Sequence, residues 1–208
     1  MKRRQFIKTG LITYSLPFAG SFLWASSMNQ KTKKGDPFNL LYAPHFGMFT
    51  HHSGKDFIDQ IQFMYDQGFR SLEDNGMKDR SLSDQERIAK KMSQLNMTMG
   101  VFVAHKIYWN KPNLASGDKD LQNEFVNHIK ESVEVAKRVN AQWMTVVPGH
   151  VDLGQEMGYQ TANVVEALRR ASAILEPHGL IMVLEPLNLS LIHISEPTRP
   201  RLSSYAVF

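Results

Sequence analysis

The 208-residue chain contains no cysteine. Disulfides, thiolate metal sites and thiol nucleophiles are therefore excluded. It has no hydrophobic run long enough to span a bilayer: the most apolar stretch, "LITYSLPFAGSFLWA", is broken by Pro17 and Gly20. No Gly-x-Gly-x-x-Gly follows the first apolar segment of the body, so the dinucleotide-binding fingerprint is missing. Acidic side chains are absent from residues 1–35, which carry seven basic ones.

That last absence decides how the overall charge of +4 is read. Residues 36–188 hold fifteen basic and nineteen acidic side chains, a net of −4. A body of that sign repels phosphates, and no nucleic-acid partner is expected. The basicity belongs to the ends.

The first segment reads as an address. "MKRRQFIKTG" is cationic and the interrupted apolar stretch follows it, the order of an export signal. "KRRQFIK" resembles the twin-arginine signal, with Arg3 and Arg4 adjacent, Phe6 two residues on and Lys8 beyond. Residues 1–27 are expected to be that signal, with Ala25 and Ser27 small enough for cleavage before Met28, and 28–37 a linker. The resemblance implies passage of a folded protein through the twin-arginine export machinery. It also implies membrane contact only during export, and a periplasmic or exported location.

From Phe38 the pattern alternates. Apolar strands are predicted at "FNLLYAPHFG", "RSLEDNG", "MTMGVFVAH", "QWMTVVPGH" and "LIMVLEPLN". Between them lie four helices. The first carries Phe57, Ile61, Met64 and Tyr65 on one face, and the second opens on a capping box of Ser83 and Glu86. The third shows Leu121, Phe125, Ile129, Val133 and Ala136 along one face, and the fourth stops at Gly179. Alternation with near-continuous apolar strands means βα units and a parallel sheet. The expected fold is α/β, a (β/α)8 TIM barrel with its first five strands and four helices present.

His45, Glu73, His105, His150 and Glu185 each fall at or just beyond the C-terminal end of a different predicted strand. In a barrel those ends share one face, where active sites are built. His51 and His52 fall in a loop, and His128 and His178 on helices; these rank below the five.

"VLEPLN", with "GFRSLED" and "EALRRASAILEPHGLIMVLEPLN", resembles the hydroxypyruvate isomerase group of sugar isomerases and epimerases, xylose isomerase-like TIM barrels. The likeness covers residues 38–188. It implies that Glu185 is one of a catalytic pair of glutamates and a ligand to a divalent metal (Mn, Mg or Zn in the complete family enzyme). It also implies that Asn188, His45, Glu73, His105 and His150 face the substrate, a small hydroxy-carbonyl compound or sugar. Aldose–ketose interconversion moves a proton between neighbouring carbons, so it needs a carboxylate in reach and a positive group to hold the enediolate.

After Asn188 comes "LSLIHISEPTRPRLSSYAVF", with Pro197 and Pro200 against any helix. "LSLIHISEPTR" resembles a translated sequencing-library adapter, and "SYAVF" the translated end of one. Residues 189–208 are expected to be non-native, the barrel to be incomplete, and this chain to hold no metal and to be inactive as an isomerase. The rival readings are a sugar epimerase, a keto-sugar dehydratase or lyase on the same fold, an apurinic endonuclease, and a non-catalytic periplasmic sugar-binding protein.

Overall fold

The computed structural model describes residues 35–185, all within the unit Lys34–Phe208. The predicted signal, residues 28–34 of the linker, Asn188 and the tail lie outside the described residues.

Four long helices form where the periodicity places them: α2 (Phe57–Asp66), α3 (Leu82–Gln94), α4 (Lys119–Val139) and α5 (Met157–Leu175). A single turn, α1 (Thr50–Ser53), precedes them. The starts of α2, α3 and α4 are capped by side chains that accept otherwise orphaned amides. Asp56 takes the Ile58 N–H at 2.8 Å, Ser81 that of Asp84 at 3.1 Å, and Asp118 those of Asp120 and Leu121. The capping box expected at Ser83 and Glu86 is thus corrected to Ser81 and Asp84, two residues earlier. Serines occupy both positions, and Ser81 also donates to the Asp84 carboxylate at 2.8 Å, completing the cap. Asn140 ends α4 in the left-handed region, and Gly179 closes the 3-10 turn Glu176–His178 after α5.

The strands are β1 (Ser71–Leu72), β2 (Thr98–Met99), β3 (Trp143–Val146) and β4 (Ile181–Leu184). β1 pairs with β2 and β3 with β4, both parallel. A parallel bridge from Val103 to Thr145 joins the two pairs, and another from His45 to Glu73 adds the chain before β1. Each βα unit therefore lies beside the next in chain order, as in a barrel wall. The strand expected over 38–47 shrinks to that one bridge. Pro44 has no amide to donate, and Leu40, Leu41 and Tyr42 stay more than half exposed.

The core lies between this wall and the helices. Ile61, Leu72, Ile88, Phe102, Ile129, Met144, Val146 and Leu175 are essentially fully buried there. The register of α4 differs from the sequence expectation in one respect: Gln122, not Leu121, is buried.

Gln122 belongs to a repeated device. Among the described residues the fourth residue of each long helix is a buried glutamine: Gln60, Gln85, Gln122 and Gln160. Three of them bind the loop preceding their own helix. Gln60 accepts from Gly47 N–H at 2.7 Å and donates to Lys55 O. Gln85 donates to Met77 O and Arg80 O, and Gln160 clasps both backbone groups of Asp152. Gln122 instead takes Lys119 and donates to Asn163 O on α5. A primary amide offers both donor and acceptor, so it satisfies loop backbone that burial would otherwise leave unpaired. The loops so held are those at the C-terminal ends of the strands.

Candidate functional site

At the C-terminal ends of the strands lies an open cavity of about 680 Å3. Asn75, Gly76, Lys78 and Asp79 come from the loop after β1, His105 to Ile107 and Trp109 from the segment after β2, Val147 from the end of β3 and Glu185 from the end of β4. The volume is that of a small-molecule site. Glu185 is delivered by strand alternation. Met182 and Leu184 face α5, so Ile181, Val183 and Glu185 face the opposite side.

His105 is buried at one wall of the cavity. The Val147 N–H donates to its Nε2 at 3.1 Å, and its Nδ1 meets the Lys106 carbonyl at 2.8 Å. One nitrogen must accept and the other donate, which defines a neutral ring with its proton on Nδ1. Burial is the main reason its pKa falls from 6.5 to about 4. Phe125 packs edge-on against the ring, with centroids 5.0 Å apart. Both nitrogens are committed to backbone, so His105 shapes the wall and fixes the β2–β3 ends.

His128, which ranked below the strand-end histidines, lines the same cavity from α4 and accepts the Lys106 N–H at 3.4 Å. Its signal was available in helical spacing: position 128 stands one turn from Phe125 and Glu124 on the flank of the buried face. Lys78 and Lys106 were not singled out by sequence either. Lys78 pairs with Glu131 at 2.7 Å and holds that carboxyl below its usual range. Lys106 donates to the Tyr108 hydroxyl at 3.0 Å. That hydroxyl in turn bonds Glu124 and, with Lys106 nearby, lowers its pKa. Two ammonium groups thus stand on the wall that holds Glu185.

The other sequence candidates group differently. His45 Nε2 and Glu73 Oε1 form a contact pair at the ends of the first two strand positions, both partly exposed. Neither is on the wall of the Glu185 cavity. His150 turns its Nδ1 to the Val151 carbonyl at 2.7 Å and also stands apart from that wall. The structure therefore unites Glu185 with His105, pairs His45 with Glu73, and leaves His150 in a separate loop. Asn188 lies outside the described residues.

A second pair organises the loop after β1. Arg80 donates Nε and Nη2 to the two oxygens of buried Asp74, the latter at 2.9 Å, and lies over the rings of Phe57 and Phe46. Asp74 also accepts the Gly76 amide.

The described residues do not fit a divalent metal. No three His, Asp or Glu side chains among them converge as ligands. In the Glu185 cavity both His105 nitrogens are already bonded to backbone, so they are not free as ligands. Among the described residues no helix is long and apolar enough to cross a membrane.

The family model described as "Xylose isomerase-like TIM barrel" matches residues 58–197. Similar solved structures include a family 2 AP endonuclease from Brucella melitensis, at TM-score 0.55 and 20% identity, covering 72% of this chain and 56% of that one. A 3-keto-D-glucoside 4-epimerase from E. coli matches at TM-score 0.55 and 13% identity, covering 72% and 57%. A D-psicose 3-epimerase matches at TM-score 0.53 and 14% identity, covering 71% and 53%. The chain thus spans little more than half the length of these structures, and at such identities the likeness is one of fold. No curated protein matches the sequence.

Proposed function

The chain belongs to the xylose isomerase-like TIM barrel family, and on that premise we propose that its site performs proton transfer on a small hydroxy-carbonyl or sugar substrate, with Glu185 as the acid–base group. The observation that carries this reading is the position of Glu185. It is a carboxylate at a strand's C-terminal end, opening into a cavity of small-molecule size beside two lysines. A carboxylate in reach removes the proton next to a carbonyl, and nearby positive charge offsets the enediolate that results. Lys106, more than half exposed at its side chain, is the better placed of the two to meet substrate oxygens.

Two outcomes of that step are open to the site. Return of the proton to the neighbouring carbon is aldose–ketose isomerisation, of the hydroxypyruvate isomerase kind. Return to the opposite face of the same carbon is epimerisation, a reading supported about equally by the epimerases that share the fold. Either one requires a second group on the far side of the substrate. Removal and exchange of the proton needs Glu185 alone. We further propose that residues 1–27 direct export to the periplasm.

The test is proton exchange. Hydroxypyruvate and a ketohexose are incubated with the 208-residue chain in D2O, with and without added manganese or magnesium. The C–H signal next to the carbonyl is then followed by NMR. Exchange that vanishes in Glu185→Gln supports the reading. Exchange unchanged by that substitution, or absent throughout, overturns it.

A further inference from the structure

The loop after β1 holds a dipeptide found nowhere else in the chain: Asn75 is followed by Gly76, and no other asparagine precedes a glycine. Both residues are exposed. Asn75 lines the cavity that also holds Glu185, and among the described residues its carboxamide makes no hydrogen bond.

We propose that Asn75 is a site of self-modification, at which the Gly76 backbone nitrogen closes on the Asn75 carboxamide to form a succinimide. The new bond joins that nitrogen to Cγ of Asn75. The bond from Cγ to the carboxamide nitrogen breaks, and ammonia leaves with the proton of the Gly76 amide. Water then opens the ring at one carbonyl or the other, leaving aspartate or isoaspartate. Glycine permits the attack because no side chain shields its nitrogen. Asn96, Asn113 and Asn140 are followed by Met97, Leu114 and Ala141, whose side chains crowd the corresponding atom.

The fold sets the rate. The Met77 N–H donates to Asp74 O at 3.1 Å, closing a turn with Asn75 and Gly76 at its centre. Gly76, at φ −88° and ψ 2°, has the third-position angles of a type I turn. Ring closure requires rotation about the Cα–C bond of Asn75, which opens that turn. It also breaks the bond from the Gly76 N–H to Asp74 Oδ1, 3.1 Å long. Two hydrogen bonds of ordinary net strength make the folded chain react roughly ten- to a hundredfold more slowly than the unfolded one.

The product places a carboxylate on the wall shared by Lys78 and Glu185, and isoaspartate also lengthens the backbone ahead of Lys78. The cavity therefore changes with the age of the molecule, whatever reaction Glu185 performs.

Peptide mass spectrometry tests the proposal on the full chain, incubated at mildly alkaline pH with and without guanidinium chloride. Loss of the Asn75 amide is expected in both, slower in the folded chain, with isoaspartate among the products. Gly76→Ala keeps the turn, since a Cβ there lies 3.6 Å from Asp74 Oδ1 and 3.9 Å from Arg80 Nη2, ordinary contacts. That variant should convert far more slowly in either state. An Asn75 that stays intact in the folded chain overturns the proposal. So does aspartate without isoaspartate, which marks direct hydrolysis, or an unchanged rate in Gly76→Ala.

Discussion

The Val147 amide donates to Nε2 of His105 at 3.1 Å, tying the end of β3 to the segment that continues β2. The bond requires an unprotonated Nε2, so the neutral ring is part of the fold. His105 ordinarily titrates near 6.5 and in the folded chain at about 4. Between these values the unfolded chain binds a proton that the folded chain refuses. The stability is fully present above about pH 6.5 and is lost as pH falls toward about 4, by at most about 3 kcal/mol. Urea unfolding at a series of pH values should show this slope, and His105→Phe should flatten it. Equal slopes in the two proteins would refute the assignment.

The glutamine device predicts a local effect. Gln160→Leu keeps the bulk but strands the Asp152 amide and the Asp152 and Gln155 carbonyls. A loss of about 1–3 kcal/mol is expected. In hydrogen exchange the loop 152–156 should lose protection before α5 does. A loss spread evenly over the chain would count against the device.

Asp74 and Arg80 predict asymmetry. Asp74→Ala leaves a guanidinium lying over the Phe57 and Phe46 rings without its buried counter-charge, at a cost of about 3 kcal/mol or more. Replacing both, as Asp74→Ala with Arg80→Met, should recover part of that loss. A double-mutant cycle in urea measures the coupling, and additive losses would dismiss it.

Gly149 predicts a steric cost. Its φ is +99°, and a Cβ there would lie 1.9 Å from Oδ1 of buried Asn113. Gly149→Ala should destabilise the chain by about 1–3 kcal/mol. Adding Asn113→Ala should remove the clash but not the backbone strain, so thermal melting should show partial recovery. Full recovery, or no initial loss, would contradict this.

Much of this organisation is legible before folding. Helix positions follow from apolar spacing, and β3 and β4 from short apolar runs. The convergence of Glu185 and His105 follows from their places at strand ends. The helix α3 is capped by Ser81 and not by Ser83, because two serines separated by one residue offer the same capping chemistry and only backbone geometry chooses between them. The segment before β1 looks like a strand by composition, but Pro44 and the exposure of its neighbours reduce it to one bridge. The glutamine at each helix's fourth position was readable as a repeat; its partners are loop carbonyls and amides, which no side-chain pattern identifies.

By itself the sequence determined the α/β alternation, the family to which the βα units belong and the strand end that carries Glu185, because local periodicity and turn residues encode these over a few positions. Only the tertiary structure decided that Lys78, Lys106 and His128 share the Glu185 wall while His45, Glu73 and His150 stand apart. Neighbourhood across separate βα units is set by strand register and helix packing, and contacts between residues so distant along the chain leave no mark in local spacing.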